Sequence, residues 1–155
     1  MTRAIIYSLA ICALGAALES LFAGRGIKQR LANVRAPSFA IPFWGWIVIG
    51  VAYYLICFAI LDRLFLLSPA PVRSAAFALL GAIMFTNALW NYFFFRAGNL
   101  FHAFLLGLPY SAMALSLFLL LLRIDRTAAW CLLPYLLYLC YASVWGYRIW
   151  KMNPP

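Results

Sequence analysis

Five apolar runs, each long enough to cross a bilayer, decide what this chain can fold into. They cover approximately residues 4–23, 42–62, 72–95, 99–122 and 127–150. A helix needs about 20 apolar residues to span the hydrocarbon core. The expected fold is an all-α integral membrane protein, a five-helix transmembrane bundle forming one membrane domain over residues 1–155. Composition excludes the soluble alternative. The 155 residues are 68% hydrophobic and 10% charged, where a soluble domain is roughly half apolar and a quarter charged. Such a chain has no surface to present to water.

The net charge of +9 is not a nucleic-acid footprint. Its basic residues sit mainly at the ends of the apolar runs, where they mark loops and face lipid headgroups. The partners expected are the lipid bilayer and a hydrophobic small molecule, and no nucleic acid. Cys12, Cys57, Cys131 and Cys140 all fall within apolar runs and form no C-x-x-C pair, so they read as small buried hydrophobes. A single histidine excludes a multi-histidine metal site, and no metal centre is expected.

Short links make neighbouring helices antiparallel. "DRLFLLSPAPVR" (62–73) carries the breakers Pro69 and Pro71, while "RAGN" (96–99) and "RIDR" (123–126) are brief. The first link, residues 24–41, is too long for a simple connection, and long links in compact domains are usually functional or disordered. Pro109 and Pro134 fall inside the fourth and fifth spans and predict local kinks. Arg3, Arg63, Arg73, Arg123 and Arg126 lie on the face of the N-terminus, and Arg25, Lys28, Arg30, Arg35, Arg96, Arg148 and Lys151 on the other. The positive-inside rule puts the second face in the cytoplasm. The expected location is a bacterial cell membrane, N-terminus outside and C-terminus cytoplasmic. The basic cluster after the first span opposes translocation of the next segment, so an uncleaved first helix is expected.

Counting inward at about 1.5 Å per residue puts Asn91 and Asn87 roughly 6 and 12 Å from the cytoplasmic face. Glu19 and His102 lie about one turn in from the same face. Trp44 and Trp46 open the second span there, and Tyr138, Tyr141, Trp145 and Tyr147 occupy the matching part of the fifth. Polar side chains in spans usually face a bundle interior or a water-filled cavity. Asn87 and Asn91 share one helical face, with Trp90 beside them. Two readings fit. One is an aromatic-walled cavity open toward the cytoplasm beneath the long link, with a few amide and imidazole groups to orient a ligand. The other is a pair of amides that bonds a neighbouring helix and holds the bundle together. Glu19 would relay protons with His102, or snorkel and pair with Arg25 or Lys28. His102 would be an axial haem ligand or a pocket wall.

Ala78, Ala82 and Thr86 repeat at i, i+4, i+8 on a face roughly 160° from the asparagines. Such small faces let membrane helices approach closely. The expectation is a homodimer through this face, the alternative being contact within one bundle. No nucleotide loop, zinc-hydrolase or serine-hydrolase motif occurs. His102 and the two aspartates, Asp62 and Asp125, lie near opposite faces, so no catalytic residues are expected.

Three stretches carry a resemblance. "APSFAIPFWGW" (36–46), "NALWNYFFF" (87–95) and "LLPYLLYLCYASVWGYRIWKMNP" (132–154) are similar to motifs of the tryptophan-rich sensory protein/translocator protein family. Its loop motif K-P-S-W-x-P-P-x-W falls on residues 36–44, its N-x-x-W on Asn87 and Trp90, and its P-Y-x-x-W-x-x-x-A on Pro134, Tyr135, Tyr138 and Ala142. The resemblance implies five helices around a cavity lidded by the loop residues Pro37, Ser38, Phe39 and Pro42. It implies binding of a porphyrin or haem, or of sterol-like ligands, with no required cofactor, and a homodimer. The ligand-binding set expected is Trp44, Asn87, Trp90, Asn91, His102, Tyr138 and Ala142. Light-driven porphyrin breakdown and lipid or metabolite transport are the alternatives. Several family tryptophans are replaced, by Phe39, Gly50, His102 and Tyr138, which argues against tryptophan-dependent photochemistry. The family's fifth-helix Asn is Gly146. Val144, Tyr147 and Lys151 fit the pattern proposed for cholesterol contact, which a spanning helix with this ending matches easily.

Overall fold

The structure is a computed structural model describing residues 2–154. Its helices are α1 (Thr2–Ala23), α2 (Ile27–Asn33), α3 (Phe43–Leu66), α4 (Pro71–Asn91), α5 (Leu100–Ile124) and α6 (Arg126–Met152). A π-helical turn, Tyr92–Arg96, prolongs α4. All but α2 are long and apolar enough to cross a membrane. Each expected span is helical. α3 runs past residue 62 because nothing in "DRLF" breaks a helix before Pro69. Pro71 opens α4, where its missing N–H is one the first turn leaves free anyway. α5 and α6 continue as helices through Pro109 and Pro134. The irregularity lies instead in the π turn. There Ala97 N–H reaches back to Tyr92 O at 2.8 Å, and Gly98 adopts φ +67° to end the helix.

The five long helices close into a ring in the order α1, α3, α6, α5, α4, with α4 returning to α1. α1 fits against α3 and α4 because its inner face is small. Ala4, Ser8 and Cys12, one turn apart, are its buried residues before the last turn. At Gly15 a Cβ would stand 2.6 Å from Met84 Cε and 3.4 Å from Tyr54, so a larger residue would have to push the flexible Met84 end aside.

The bundle has two unlike halves. Toward the N-terminal face, Ile60, Leu64, Leu80, Leu117 and Leu121 are no more than 1% exposed and fill the centre. Toward the opposite face the core shrinks to Val34, Phe94, Ala103, Trp145 and Ile149, surrounded by half-buried aromatic rings. Leu14, Val51, Leu55, Leu119 and Leu137 point outward, as side chains do when hydrocarbon is the solvent. On α4, Ala78 is exposed and Ala82 half-buried, whereas Thr86 is 9% exposed and packs inside the single chain. Cys12 and Cys57 are buried, Cys131 is half-buried, and Cys140 is on the outer surface.

Asp125 secures the N-terminal face. Its Oδ1 accepts the Ala128 N–H at 3.0 Å and so caps α6. Its Oδ2 takes the Arg63 Nε–H at 2.7 Å, tying α3 to the α5–α6 corner. Burial raises the pKa of this carboxyl, but Arg63 and the Ala128 and Thr127 N–H groups outweigh it and hold it below the usual range. A depressed carboxyl stabilises the fold above its unfolded pKa, and the contribution vanishes as pH falls through the folded value. Asp125→Asn keeps the cap and loses the ion pair, at a cost of about 1 kcal/mol because Arg63 is partly exposed. Asp125→Ala loses both and costs about 1 kcal/mol more. Thermal melts in detergent should rank wild type, Asp125→Asn and Asp125→Ala in falling order at pH 7. The gap between wild type and Asp125→Asn should narrow below about pH 4.

Candidate functional site

The two asparagines face a carboxylate. Asn87 Nδ2 donates to Glu19 Oε2 at 2.9 Å, and Asn91 Nδ2 donates to Glu19 Oε1 at 3.0 Å. The Tyr54 hydroxyl adds a third bond to Oε2 at 2.7 Å. Three donors from α3 and α4 thus hold one anion from α1. Charge-assisted bonds of this kind are the strong ones. Among the described residues no basic side chain forms an ion pair with Glu19, so the expected pairing with Arg25 or Lys28 is not made. Nor does His102 reach it. The two asparagines then part company. Asn91 is buried, and its Nδ2 also bonds Asn87 O at 3.0 Å. It faces the clamp rather than a cavity. Asn87 has the clamp on one side and open space on the other. Since its NH2 group is turned to Glu19, the amide oxygen is what it can offer that space.

The space lies within the ring, bounded by α3, α4, α5 and α6. α3 contributes Trp46, α4 contributes Asn87 and Trp90, and α6 contributes Tyr138, Ala142 and Trp145. Phe104, Gly107 and Ser111 of α5 form the facing wall. Below, the hydroxyls of Tyr110 and Tyr135 meet at 2.7 Å and close the floor. Leu108 and Ser143, both exposed, also border the space, so it reaches the outer surface between α5 and α6. The enclosed volume is about 90 Å³. The walls are apolar and aromatic, with few polar groups, as ligand sites generally are.

A second cavity, about 280 Å³, lies beneath the long link. Leu31, Val34 and Ile41 roof it, Lys28 stands at its edge, and Trp46, Trp145 and Ile149 form its base. The link is fastened to the bundle. Asn153 of the α6 end bonds Arg35 twice, accepting its N–H at 2.8 Å and donating to its carbonyl at 2.9 Å. The Tyr141 hydroxyl accepts the Ile41 N–H and donates to Phe39 O, each at 3.2 Å. Arg30 donates to Gly98 O at 2.8 Å. Of the four expected lid residues, Ser38 and Phe39 form a turn closed by the Ala40 N–H on Pro37 O at 2.9 Å, Phe39 also stacks edge-on against Tyr141, and Pro42 precedes α3.

Two expected wall residues stand elsewhere. Trp44 is 67% exposed at the start of α3 and lines neither cavity. The reason is angular, since residues two apart on a helix point about 200° apart and only one of Trp44 and Trp46 can face inward. His102 is exposed and stacks on Phe93 with ring centroids 5.5 Å apart. It also lines neither cavity, which removes it as an axial ligand there. The important residues not expected are Trp46 and Trp145. Their signal was present, because Trp46 continues the inward series Tyr53, Cys57, Ile60 and Leu64, and Trp145 follows Tyr138 and Ala142 at i+7 and i+3, on the face of two expected wall residues. Among the described residues no three or more His, Cys, Asp or Glu side chains converge as a metal site.

If the link is a closure held by Tyr141 and Asn153, loosening it should expose it. Tyr141→Phe keeps the ring and removes both hydroxyl bonds, a loss of about 1–2 kcal/mol. Asn153→Ala removes the other fastening. Limited proteolysis within residues 34–42 should quicken several-fold in each variant and further in the double variant, with the melting temperature nearly unchanged. Unchanged cleavage would mean that these bonds do not hold the link.

A search of curated proteins found no match. The TspO/MBR family model matches residues 8–151, nearly the whole chain. The match takes in most of each long helix, the lining of both cavities and the link itself, and on that extent the chain belongs to the TspO/MBR family.

Proposed function

We propose that this membrane protein binds flat, hydrophobic, anionic molecules of the tetrapyrrole class, protoporphyrin IX or haem, among α3, α4, α5 and α6. Membership of the family supports a membrane ligand-binding or transport-related role. The observation that carries the finer reading is the interior cavity, walled by Trp46, Trp90, Tyr138 and Trp145 and offering one amide oxygen. Wide aromatic faces suit a macrocycle, and the basic residues of the long link favour carboxylate-bearing ligands. Haem would be held by its ring, since His102 stands apart. In this reading Pro37, Ser38, Phe39 and Pro42 belong to the closure. The cavity-bearing half lies toward the cytoplasm, with the N-terminus outside. A homodimer through Ala78 and Ala82 of α4 belongs to the same reading, supported by the exposed position of Ala78 beside a half-buried Ala82; disulfide crosslinking at cysteines placed there, in a cysteine-free background, should give a dimer, and only monomer would count against it.

The test is titration of the purified chain with protoporphyrin IX, followed by the Soret band and by tryptophan quenching. Saturable binding is expected. Trp90→Ala and the cavity-filling Ala142→Phe should each weaken it about tenfold, near 1.4 kcal/mol. Trp130→Phe, at an exposed tryptophan on the other face, should leave it unchanged. Equal affinity in all variants would remove this cavity as the site. A second reading, light-driven oxidation of the bound porphyrin by oxygen, draws support from the clustering of Trp46, Trp90 and Trp145. Trp145 lies 4.7 Å from Trp46 and 6.5 Å from Trp90 between ring centroids. Illuminating the same complex in air separates the two readings. A stable Soret band supports binding alone, and its loss supports the second.

A further inference from the structure

Neither cavity alone has room for a ligand the size of a porphyrin, for which about 300 Å³ or more is usual. The inner cavity encloses about 90 Å³ and the outer about 280 Å³. They meet at Trp46 and Trp145, which among the described residues are the only side chains that line both. The two indoles pack with centroids 4.7 Å apart and together make the partition.

The two rings are held very differently. Trp145 is 3% exposed and wedged against Trp90 and Phe94 as well as Trp46. Trp46 is half-buried and lies in the first turn of α3, where several backbone N–H groups have no helical partner and the helix is held least. One turn on, on the same face, Gly50 leaves open space: a Cβ there would meet nothing within 4 Å. If either ring is to move, it is Trp46. A further observation concerns polarity. The Trp145 indole Nε1–H is buried and has no hydrogen-bond partner among the described residues. Buried donors are rarely left so, and this one belongs to a ring bordering both cavities. The outer cavity also carries the Lys28 ammonium at its edge.

We infer that the two cavities are halves of one binding site, that Trp46 is its movable partition, and that Trp145 Nε1–H donates to a carboxylate of the ligand. The ligand class is therefore an apolar ring system bearing a carboxylate. With Trp46 swung aside, the ring body spans both halves among their aromatic faces, and the carboxylate lies beside Trp145, toward Lys28. This rests on the ligand-binding reading above and adds to it which residue reads the acid group and which must swing.

The test uses the whole chain in nanodiscs and two probes with the same apolar body, 1-pyrenebutyrate and 1-butylpyrene. Wild type should prefer pyrenebutyrate about tenfold. Trp145→Phe keeps an aromatic ring and loses the N–H; it should abolish that preference, so that the two probes bind with equal affinity. Trp46→Ala should speed association of both probes several-fold. In the ¹⁵N-labelled protein, the Trp145 indole resonance, assigned by its loss in Trp145→Phe, should move downfield with pyrenebutyrate and stay with butylpyrene. A preference retained by Trp145→Phe, or an unmoved indole resonance, overturns the acid-reading role. Unchanged association in Trp46→Ala makes Trp46 a fixed wall. If protoporphyrin IX binds normally while these results fail, only this inference is lost. If neither porphyrin nor pyrene probes bind, the ligand-binding reading falls with it.

Discussion

A carboxylate inside hydrocarbon must have its oxygens answered, and this bundle is arranged around that requirement. Among the described residues Glu19 has no cation paired with it. Tyr54 from α3 and Asn87 and Asn91 from α4 supply three donors instead. Removing any one leaves the half-buried Glu19 carboxylate short of a donor, which in apolar surroundings costs more than the net worth of the bond. The clamp therefore sets how α1, α3 and α4 meet. It also sets which way the Asn87 amide turns, and that orientation leaves an oxygen for the interior cavity. Both asparagines hold neighbouring helices together, and Asn87 alone also borders the cavity.

The division into a packed half and a hollow half follows from side-chain shape. Leucine, isoleucine and alanine interdigitate to crystal-like density, and around Leu64, Leu80 and Leu117 they leave no exposure. Indole and phenol rings are wide, rigid and awkward to pack from four helices at once. Where Trp46, Trp90, Tyr138 and Trp145 converge, gaps remain between their faces. Gly107 and Gly146 deepen the gap, because no side chain reaches from them to fill it. The long link then covers the hollow end, fastened through Asn153, Tyr141 and Arg30.

Helix faces explain the errors in reading the site. Depth along a helix can be counted from its ends, and it correctly gathered Glu19, Asn87, Asn91 and Trp90 at one level. Rotation about the axis needs the whole inward series, and at the start of α3 the choice between Trp44 and Trp46 turns on that series. The buried residues from Tyr53 to Leu64 point to Trp46. His102 shows the other failure. At the right depth, it sits on the outer side of α5, paired with Phe93 rather than with the cavity. The short helix α2 was hidden within the first link because seven residues make about two turns, too few for the Ile27–Leu31 spacing to stand out as a helical pattern.

By itself the sequence determined the solvent, the number of spans and their ends. Those depend on local quantities: the length of an apolar run, a proline or glycine that stops it, and a basic residue at its edge. The motifs in the third and fifth spans also placed Asn87, Trp90, Tyr138 and Ala142 around one hollow. Only the tertiary structure decided which partner answers Glu19, why Asn91 turns away from the cavity that Asn87 borders, and that Trp46 and Trp145 split the interior in two. Those outcomes depend on the rotation and spacing of helices distant in the chain, which single-helix patterns do not encode.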